Sequence, residues 1–375
     1  MNQIIKLCLI NRNYPPDKGA TGYFAKQLVD YLESESAWEV KIISVGKESI
    51  GNGHFRVAAL YEGKTKWKRL IASFIESLRL ISQAKKTKAD IFIVMTDPPF
   101  LNVCAAWSLR KTKWVLWSMD IYPEAFKAGG LTSNRNVVYR FIKGVLQKFP
   151  PSFCVSLGVR QSQFIEESFG KELKVIPSLV GVRNDEYFSE NSDPLLSWKD
   201  DKKVTLAYVG NLGEAHDLEL LESLIKNLNS IQHQVIICCR GSKSDDFKSR
   251  VRELDYVTIL EVFEDSFYVH IDIQIVSLLK EWTHICVPSK TVTALQYSNA
   301  VIFIGNEQSD SWNYIGNAGW SITSEDQILP LVQKLDRQEV NLKRGNAVQK
   351  GKKLKTLHLT RMEKIQNTLK ELYSK

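Results

Sequence analysis

The chain has 375 residues, 44% hydrophobic and 25% charged, with a formal net charge of +8. That balance excludes a disordered polymer, and no apolar run approaches the roughly 20 residues a membrane-spanning helix needs. The basic residues are scattered and no nucleic-acid motif accompanies them, so the charge points to phosphate-bearing small molecules or an anionic surface rather than to DNA or RNA.

In chain order, Met1 leads into Ile4–Ile10, a run too short for a signal peptide that continues into polar Asn11-Arg12-Asn13. A cytoplasmic chain is therefore expected. Further strands are predicted at Val40–Val45, Asp90–Met95, Lys113–Met119, Phe153–Leu157 and Lys174–Leu179. Several are continuous apolar runs, the signature of strands buried on both faces of a parallel sheet. Helical patterns lie between them, at Tyr23–Leu32, Trp67–Ala84 and Arg135–Lys148. Alternation of strand and helix predicts an α/β fold with a doubly wound sheet.

A polar stretch, residues 184–203, contains Pro194 and reads as a linker. Strands then resume at Val204–Val209, Val235–Cys239, Val257–Val262, Ile271–Leu279, Val301–Ile304 and Trp320–Ile322. The expected organisation is a first domain over residues 1–183, the linker, a second domain over 204–352 and a C-terminal helix over 353–375. The six cysteines lack metal-site spacing and read as buried free thiols, and no metal site is expected.

Ligands of such sheets bind beyond the carboxyl ends of the strands. After the first strand, Asn13-Tyr14-Pro15-Pro16-Asp17-Lys18-Gly19-Ala20-Thr21-Gly22 forms a turn into a helix that Thr21 can cap. An ordinary βα turn reads the same way. Gly210-Asn211-Leu212-Gly213-Glu214-Ala215-His216-Asp217 is a second such turn, with Asp217 a helix cap and His216 a donor where a phosphate would sit. It is not the GxGxxG of nicotinamide-cofactor sites. In Val287-Pro288-Ser289-Lys290, Ser289 is the natural cap and Lys290 the first helical residue, a cation at a helix start. Asp120 and Glu124 follow a buried strand. They can bind sugar hydroxyls or act as a base, or they can cap the next helix.

In this order, the segments resemble the retaining glycosyltransferases of GT-B fold, in the family-four branch that builds bacterial surface polysaccharides. Tyr14-Pro15-Pro16 through Gly19, Thr96-Asp97-Pro98-Pro99-Phe100 and Asp120-Ile121-Tyr122-Pro123-Glu124 are similar to motifs of that family's acceptor-side domain. Gly210–Gly213, His216-Asp217-Leu218 and Val287–Lys290 are similar to its donor side. The resemblance implies two Rossmann-like domains facing each other across a cleft, with the C-terminal helix a candidate to cross back to the first. It implies hexosyl transfer from a UDP-sugar (glucose the first choice, an N-acetylated hexosamine the second) to a saccharide or lipid-linked acceptor in exopolysaccharide synthesis, with retention of configuration and no metal or other cofactor. Donor contacts would come from Gly19, Gly210, Asn211, Leu212, His216, Arg240, Glu281, Pro288, Ser289, Lys290 and Thr293. Catalytic roles would fall to Asp120, Glu124, His216 and Lys290.

The sequence also departs from the family pattern. Asn211 and His216 occupy positions where many members carry arginine and lysine, and Thr293 stands where a ribose-binding glutamate is usual. Glu281 is the candidate for the glutamate beside the sugar, and Met119 replaces the usual acceptor-side histidine. Two other readings stay open: a sugar-nucleotide epimerase on the same fold, and a non-catalytic two-domain binding protein. The helices Trp67–Lys86 and Arg135–Lys148 are basic and amphipathic. Their stripe of Trp67, Leu70, Ile71, Phe74, Leu78 and Ile81 is expected to pack on the sheet, with peripheral membrane attachment the alternative.

Overall fold

The computed structural model describes residues 4–17, 19–46, 51, 53–60, 65–170, 172–183 and 198–375. The chain divides into two compact units, one of Met1–Leu179 with Leu359–Lys375, the other of Val180–His358. Most of the stretch expected as a linker, residues 184–197, lies outside the described residues.

The first unit contains β1 (Ile5–Ile10), α1 (Ala20–Glu33), β2 (Trp38–Val45), β3 (His54–Val57), α2 (Lys66–Lys86), β4 (Ile91–Met95), α3 (Leu101–Ser108), β5 (Lys113–Trp117), α4 (Glu124–Ala128), α5 (Val137–Lys148), β6 (Phe153–Ser156), α6 (Val159–Phe169) and β7 (Val175–Pro177). Its seven strands are all parallel, in the order β3-β2-β1-β4-β5-β6-β7. Central strands read as unbroken apolar runs because helices cover both faces; all five residues of β4 are buried. The sequence reading missed β3. It is a short edge strand whose His54 turns inward to share a 2.8 Å hydrogen bond with Ser44 Oγ.

The second unit contains β8 (Val204–Asn211), α7 (Leu218–Lys226), β9 (His233–Arg240), α8 (Ser244–Val251), β10 (Val257–Ile259), β11 (Ile273–Ser277), α9 (Lys290–Gln296), β12 (Ala300–Ile304), α10 (Asp310–Ile315), β13 (Gly319–Ile322), α11 (Ile328–Val332) and α12 (Arg337–Ser374). Its strands are also parallel and follow β10-β9-β8-β11-β12-β13, the same winding as the first unit's first six. In each sheet the chain runs outward over three strands, then returns to add strands on the other side of the first. The reversal falls between β1 and β4 in one sheet and between β8 and β11 in the other. A crevice opens at the carboxyl ends of such a pair, which makes these two points the places to look for a site.

The last helix is longer than the sequence pattern suggested, starting at Arg337 rather than near residue 353. Arg337 and Arg344 in its first turns each pair with Asp272 at 2.8 Å. Its residues from Leu359 belong with the first unit, where Arg361 donates to the Ser178 carbonyl (2.6 Å) and Lys370 pairs with Glu35 (2.7 Å). All six cysteines are free thiols, five of them buried.

Candidate functional site

In the second unit the site grows from the end of β8. Gly210 has φ +112°, a left-handed conformation that favours glycine, and a Cβ there would face Lys290 Cε at 3.9 Å. Gly241, after β9, lets that loop press against this turn: a Cβ there would stand 2.5 Å from Asn211 Oδ1. Lys290 opens α9 and folds back over the turn. Its Nζ donates to the Asn211 carbonyl (3.3 Å) and lies 4.0 Å from the centre of the Tyr208 ring. Lys290 is half-buried, and desolvation by the surrounding protein pushes its ammonium down from 10.5 to about 7.

His216 is buried beside it. His216 Nδ1 lies 3.0 Å from the Gly213 nitrogen and 3.2 Å from the Gly213 carbonyl oxygen, so that edge of the ring is held by the turn in either tautomer. Burial, and then the positive charge of Lys290, push His216 down to about 3, so the imidazole is neutral across the physiological range. Lys243 reaches the His216 carbonyl at 3.0 Å. Asp217 caps α7 as expected, accepting from the Leu220 N–H (3.0 Å), and its own N–H donates to Ser277 Oγ (2.9 Å) at the end of β11. The Leu279 N–H donates to the Ala215 carbonyl (2.8 Å), so the loops after β8 and β11 are tied together at the switch point. The result is a lysine and a neutral imidazole beside an open glycine turn, a combination suited to an anionic ligand.

In the first unit the corresponding point carries carboxylates. Asp97 follows β4 and Asp120 follows the neighbouring β5. Thr96 Oγ1 accepts the N–H groups of both Met119 and Asp120, at 3.1 Å each, and so pins the Asp120 loop to the end of β4. Asp97 Oδ2 accepts from Asn13 Nδ2 (2.6 Å), and the Asp97 carbonyl accepts from the Arg12 N–H (2.7 Å). Among the described residues the Asp120 carboxylate has no hydrogen-bond partner. Burial raises both acids to about 6; for Asp120 the Asp97 charge adds to it, and for Asp97 Arg12 opposes it.

The structure thus brings Gly210, Asn211, His216 and Lys290 together, with Pro288 and Ser289 leading into α9. Glu281 sits exposed in a one-turn helix just after β11. Gly19 stands before α1, where a Cβ would meet Asn13 at 3.3 Å. The other expected residues are placed differently. Glu124 is buried and fully partnered: Tyr139 Oη donates to Oε2 (2.6 Å) and Lys143 Nζ to Oε1 (3.1 Å). That carboxylate joins α4 to α5 and does not face open space. Leu212 turns its side chain into the core. Thr293 is buried, and its one O–H is already donated to the Gly181 carbonyl (2.7 Å). Arg240 is exposed at the end of β9, and Lys243, unremarked in the sequence, is the cation that reaches the His216 loop. Neither Ser289 nor Thr21 caps a helix. Ser289 is itself in helical conformation and makes no side-chain cap bond. Thr21 lies inside the first turn of α1 and accepts from Asn11 Nδ2 (3.3 Å).

In the first unit two residues were missed as site candidates. Thr96 and Asp97 stood in a quoted motif, but only the pairing of β4 with β5 shows that they adjoin Asp120. Among the described residues, no three His, Cys, Asp or Glu side chains are grouped to hold a metal ion.

No family model matches the chain, and no curated protein matches it by sequence. Solved structures do match in fold. A sucrose-phosphate synthase from Thermosynechococcus elongatus is similar over 99% of both chains, with TM-score 0.78 and 13% identity. Anabaena HepE, in complex with UDP and glucose, is similar over 98% of this chain and 100% of its own (TM-score 0.70, 13% identity). WaaG, a glycosyltransferase involved in lipopolysaccharide biosynthesis, matches over 96% of this chain and 98% of its own (TM-score 0.67, 12% identity). The likeness is one of architecture: two parallel-sheet Rossmann-like units, the GT-B fold.

Proposed function

We propose that the chain is a glycosyltransferase that moves a hexosyl group from a UDP-sugar to a saccharide or lipid-linked saccharide acceptor. The observation that carries this is the convergence of Lys290 and neutral His216 on the Gly210–Gly213 turn, at the switch point of the second sheet. A nucleoside diphosphate leaving group develops negative charge as the glycosidic bond breaks. A cation and fixed N–H donors aimed at that charge are what its departure needs. The fold shared with HepE, whose structure holds UDP and glucose, supports UDP as the nucleotide and glucose as the first hexose to test.

In this reading Lys290 binds the diphosphate and His216, in its Nε2–H tautomer, donates to it. The diphosphate oxygen freed by departure takes the acceptor's proton, and the sugar is transferred with retention and without a metal ion. Asp120 of the first unit, the unpartnered carboxylate of the Asp97 pair, receives and orients the acceptor hydroxyl. Surface polysaccharide synthesis is the setting we infer.

The test is a panel of nucleotide sugars scored by binding and by slow release of free nucleotide. Binding and hydrolysis of a UDP-hexose support the reading. Conversion of the donor to an epimer, with no acceptor present, would replace it with an epimerase, and binding without turnover in the presence of acceptors would leave a binding protein.

A further inference from the structure

In the first unit α2 leaves much of its apolar surface uncovered. Its buried side holds Ala72, Leu80, Ile81 and Ala84 together with Ser73, Glu76 and Ser77, while Trp67 (73% exposed), Ile71 (62%), Phe74 and Leu78 face outward. Of the inward polar groups, Glu76 is hydrogen-bonded through Oε1 only, and its Oε2 has no hydrogen-bond partner among the described residues. Glu76 accepts from the Leu60 N–H (2.9 Å) and lies 3.6 Å from Arg12 Nη1, and Ser77 donates to the Ser73 carbonyl (2.7 Å). Of the stripe expected to pack on the sheet, Ile81 is buried and Leu70 half-buried, whereas Trp67, Ile71, Phe74 and Leu78 are exposed. α5 adds to the same surface, leaving Val138 and Phe141 (65%) exposed. Between the two helices lies a groove of 460 Å³ lined almost wholly by apolar side chains, with Phe100 and Phe126 in its wall. An apolar surface this continuous is unusual on a protein that meets only water.

The charge around it is one-sided. α2 carries exposed Lys68, Arg69, Arg79, Lys85 and Lys86 against a single acid, Glu76, which is buried. α5 has exposed Arg140 and Lys148 and no acid. Apolar ridges rimmed by bases match the two layers of an anionic membrane surface, headgroups outside and acyl chains beneath. Among the described residues no helix is long and apolar enough to cross a membrane, so attachment by this face would be to one leaflet.

We propose that the α2–α5 face docks on an anionic lipid bilayer, with Trp67, Ile71, Phe74 and Phe141 inserted at the acyl boundary and the flanking lysines and arginines on the headgroups. Phe100 and Phe126 belong to the loops and helices that follow Asp97 and Asp120, so docking brings the acceptor carboxylates close to the lipid surface. This proposal stands apart from the transfer reaction.

The test is flotation of the full chain, without nucleotide sugar, on vesicles of phosphatidylcholine alone and of phosphatidylcholine mixed with phosphatidylglycerol. The chain is expected to float with the anionic vesicles at low salt, to be released as salt rises, and to stay behind with the neutral ones. Phe141→Ser and Ile71→Ser change exposed side chains, so folding is preserved (circular dichroism checks it), and each should weaken flotation. Lys68→Ala with Arg140→Ala should weaken it about fivefold per charge. No flotation with anionic vesicles at low salt, or undiminished flotation of both serine variants, would overturn the proposal. So would lipid-free self-association that Phe141→Ser abolishes, since a second copy would then cover the face. The assay involves no donor, so its failure leaves the transferase reading intact.

Discussion

Asp120 is held at about 6 by burial and, after that, by the charge of Asp97 at the end of the adjoining strand. Thr96 fixes this neighbourhood by accepting both the Met119 and Asp120 N–H groups. Asp120 therefore titrates close to the pH at which it would have to work, which is where an acceptor-orienting base or hydrogen-bond acceptor is useful.

The first prediction concerns the acid limb of the reaction. If ionised Asp120 orients the acceptor, transfer should fall as pH drops through about 6. Asp97→Asn removes the charge that opposes ionisation, so the limb should move to lower pH while the plateau changes less. A pH profile of kcat/KM checks this. A limb that stays in place in Asp97→Asn would show that Asp97 does not act on Asp120.

The same shift has a stability consequence. Each aspartate has a native pKa above its ordinary 3.8, so the folded chain holds these protons more tightly than the unfolded one. Ionisation then costs stability, a cost absent below about 3.8 and complete above about 6. Asp120→Asn should raise the melting temperature relative to the wild type at about pH 8, with the difference fading towards pH 4. Calorimetric melts at both pH values test it, and a variant less stable than wild type at the higher pH would contradict it.

Lys290 gives a proton-linked signature. With its ammonium pushed down to about 7, it is largely neutral at about pH 8 in the free protein. A diphosphate beside it favours the charged form, so UDP binding at that pH should take up a proton. Titration calorimetry in buffers of different ionisation enthalpy measures the uptake, which should vanish in Lys290→Met. Binding with no proton exchange in the wild type would place the diphosphate elsewhere.

Glu124 should behave as a structural group. Glu124→Ala leaves the Tyr139 hydroxyl and Lys143 without their buried partner and should destabilise the fold by about 3 kcal/mol. Glu124→Gln, which keeps the Tyr139 bond, should retain near-normal kcat. A large loss of kcat in a stable Glu124→Gln protein would return it to the reaction.

The central strands of both sheets were readable because strands covered on two faces must be apolar throughout, as in Ile91–Met95 and Ala300–Ile304. His54–Val57 was not, since an edge strand of four residues has no such run. The start of α12 escaped for a related reason: Arg337–Lys353 is too polar to show a stripe. His216 could be found because it follows a strand-end turn in the sequence itself, and Lys290 because it opens a helix after Val287-Pro288-Ser289. Asp97 and the role of Glu124 could not, because their meaning depends on partners brought up by folding, Asp120 for one and Tyr139 with Lys143 for the other. The α2 stripe has the same period whether it faces the sheet or the outside, and only the folded chain shows that Ile81 and Glu76 are buried while Trp67, Ile71, Phe74 and Leu78 are not.

The central claim, that Lys290 meets the diphosphate of a UDP-sugar during transfer, is tested most directly by nucleotide release from UDP-glucose and its relatives by wild type and Lys290→Ala. We predict release from at least one UDP-hexose and a loss of roughly 10²–10³ in kcat for the variant, as for removal of one group aimed at developing charge. Turnover undiminished in Lys290→Ala, or no UDP-sugar bound or consumed by the wild type, would contradict the account.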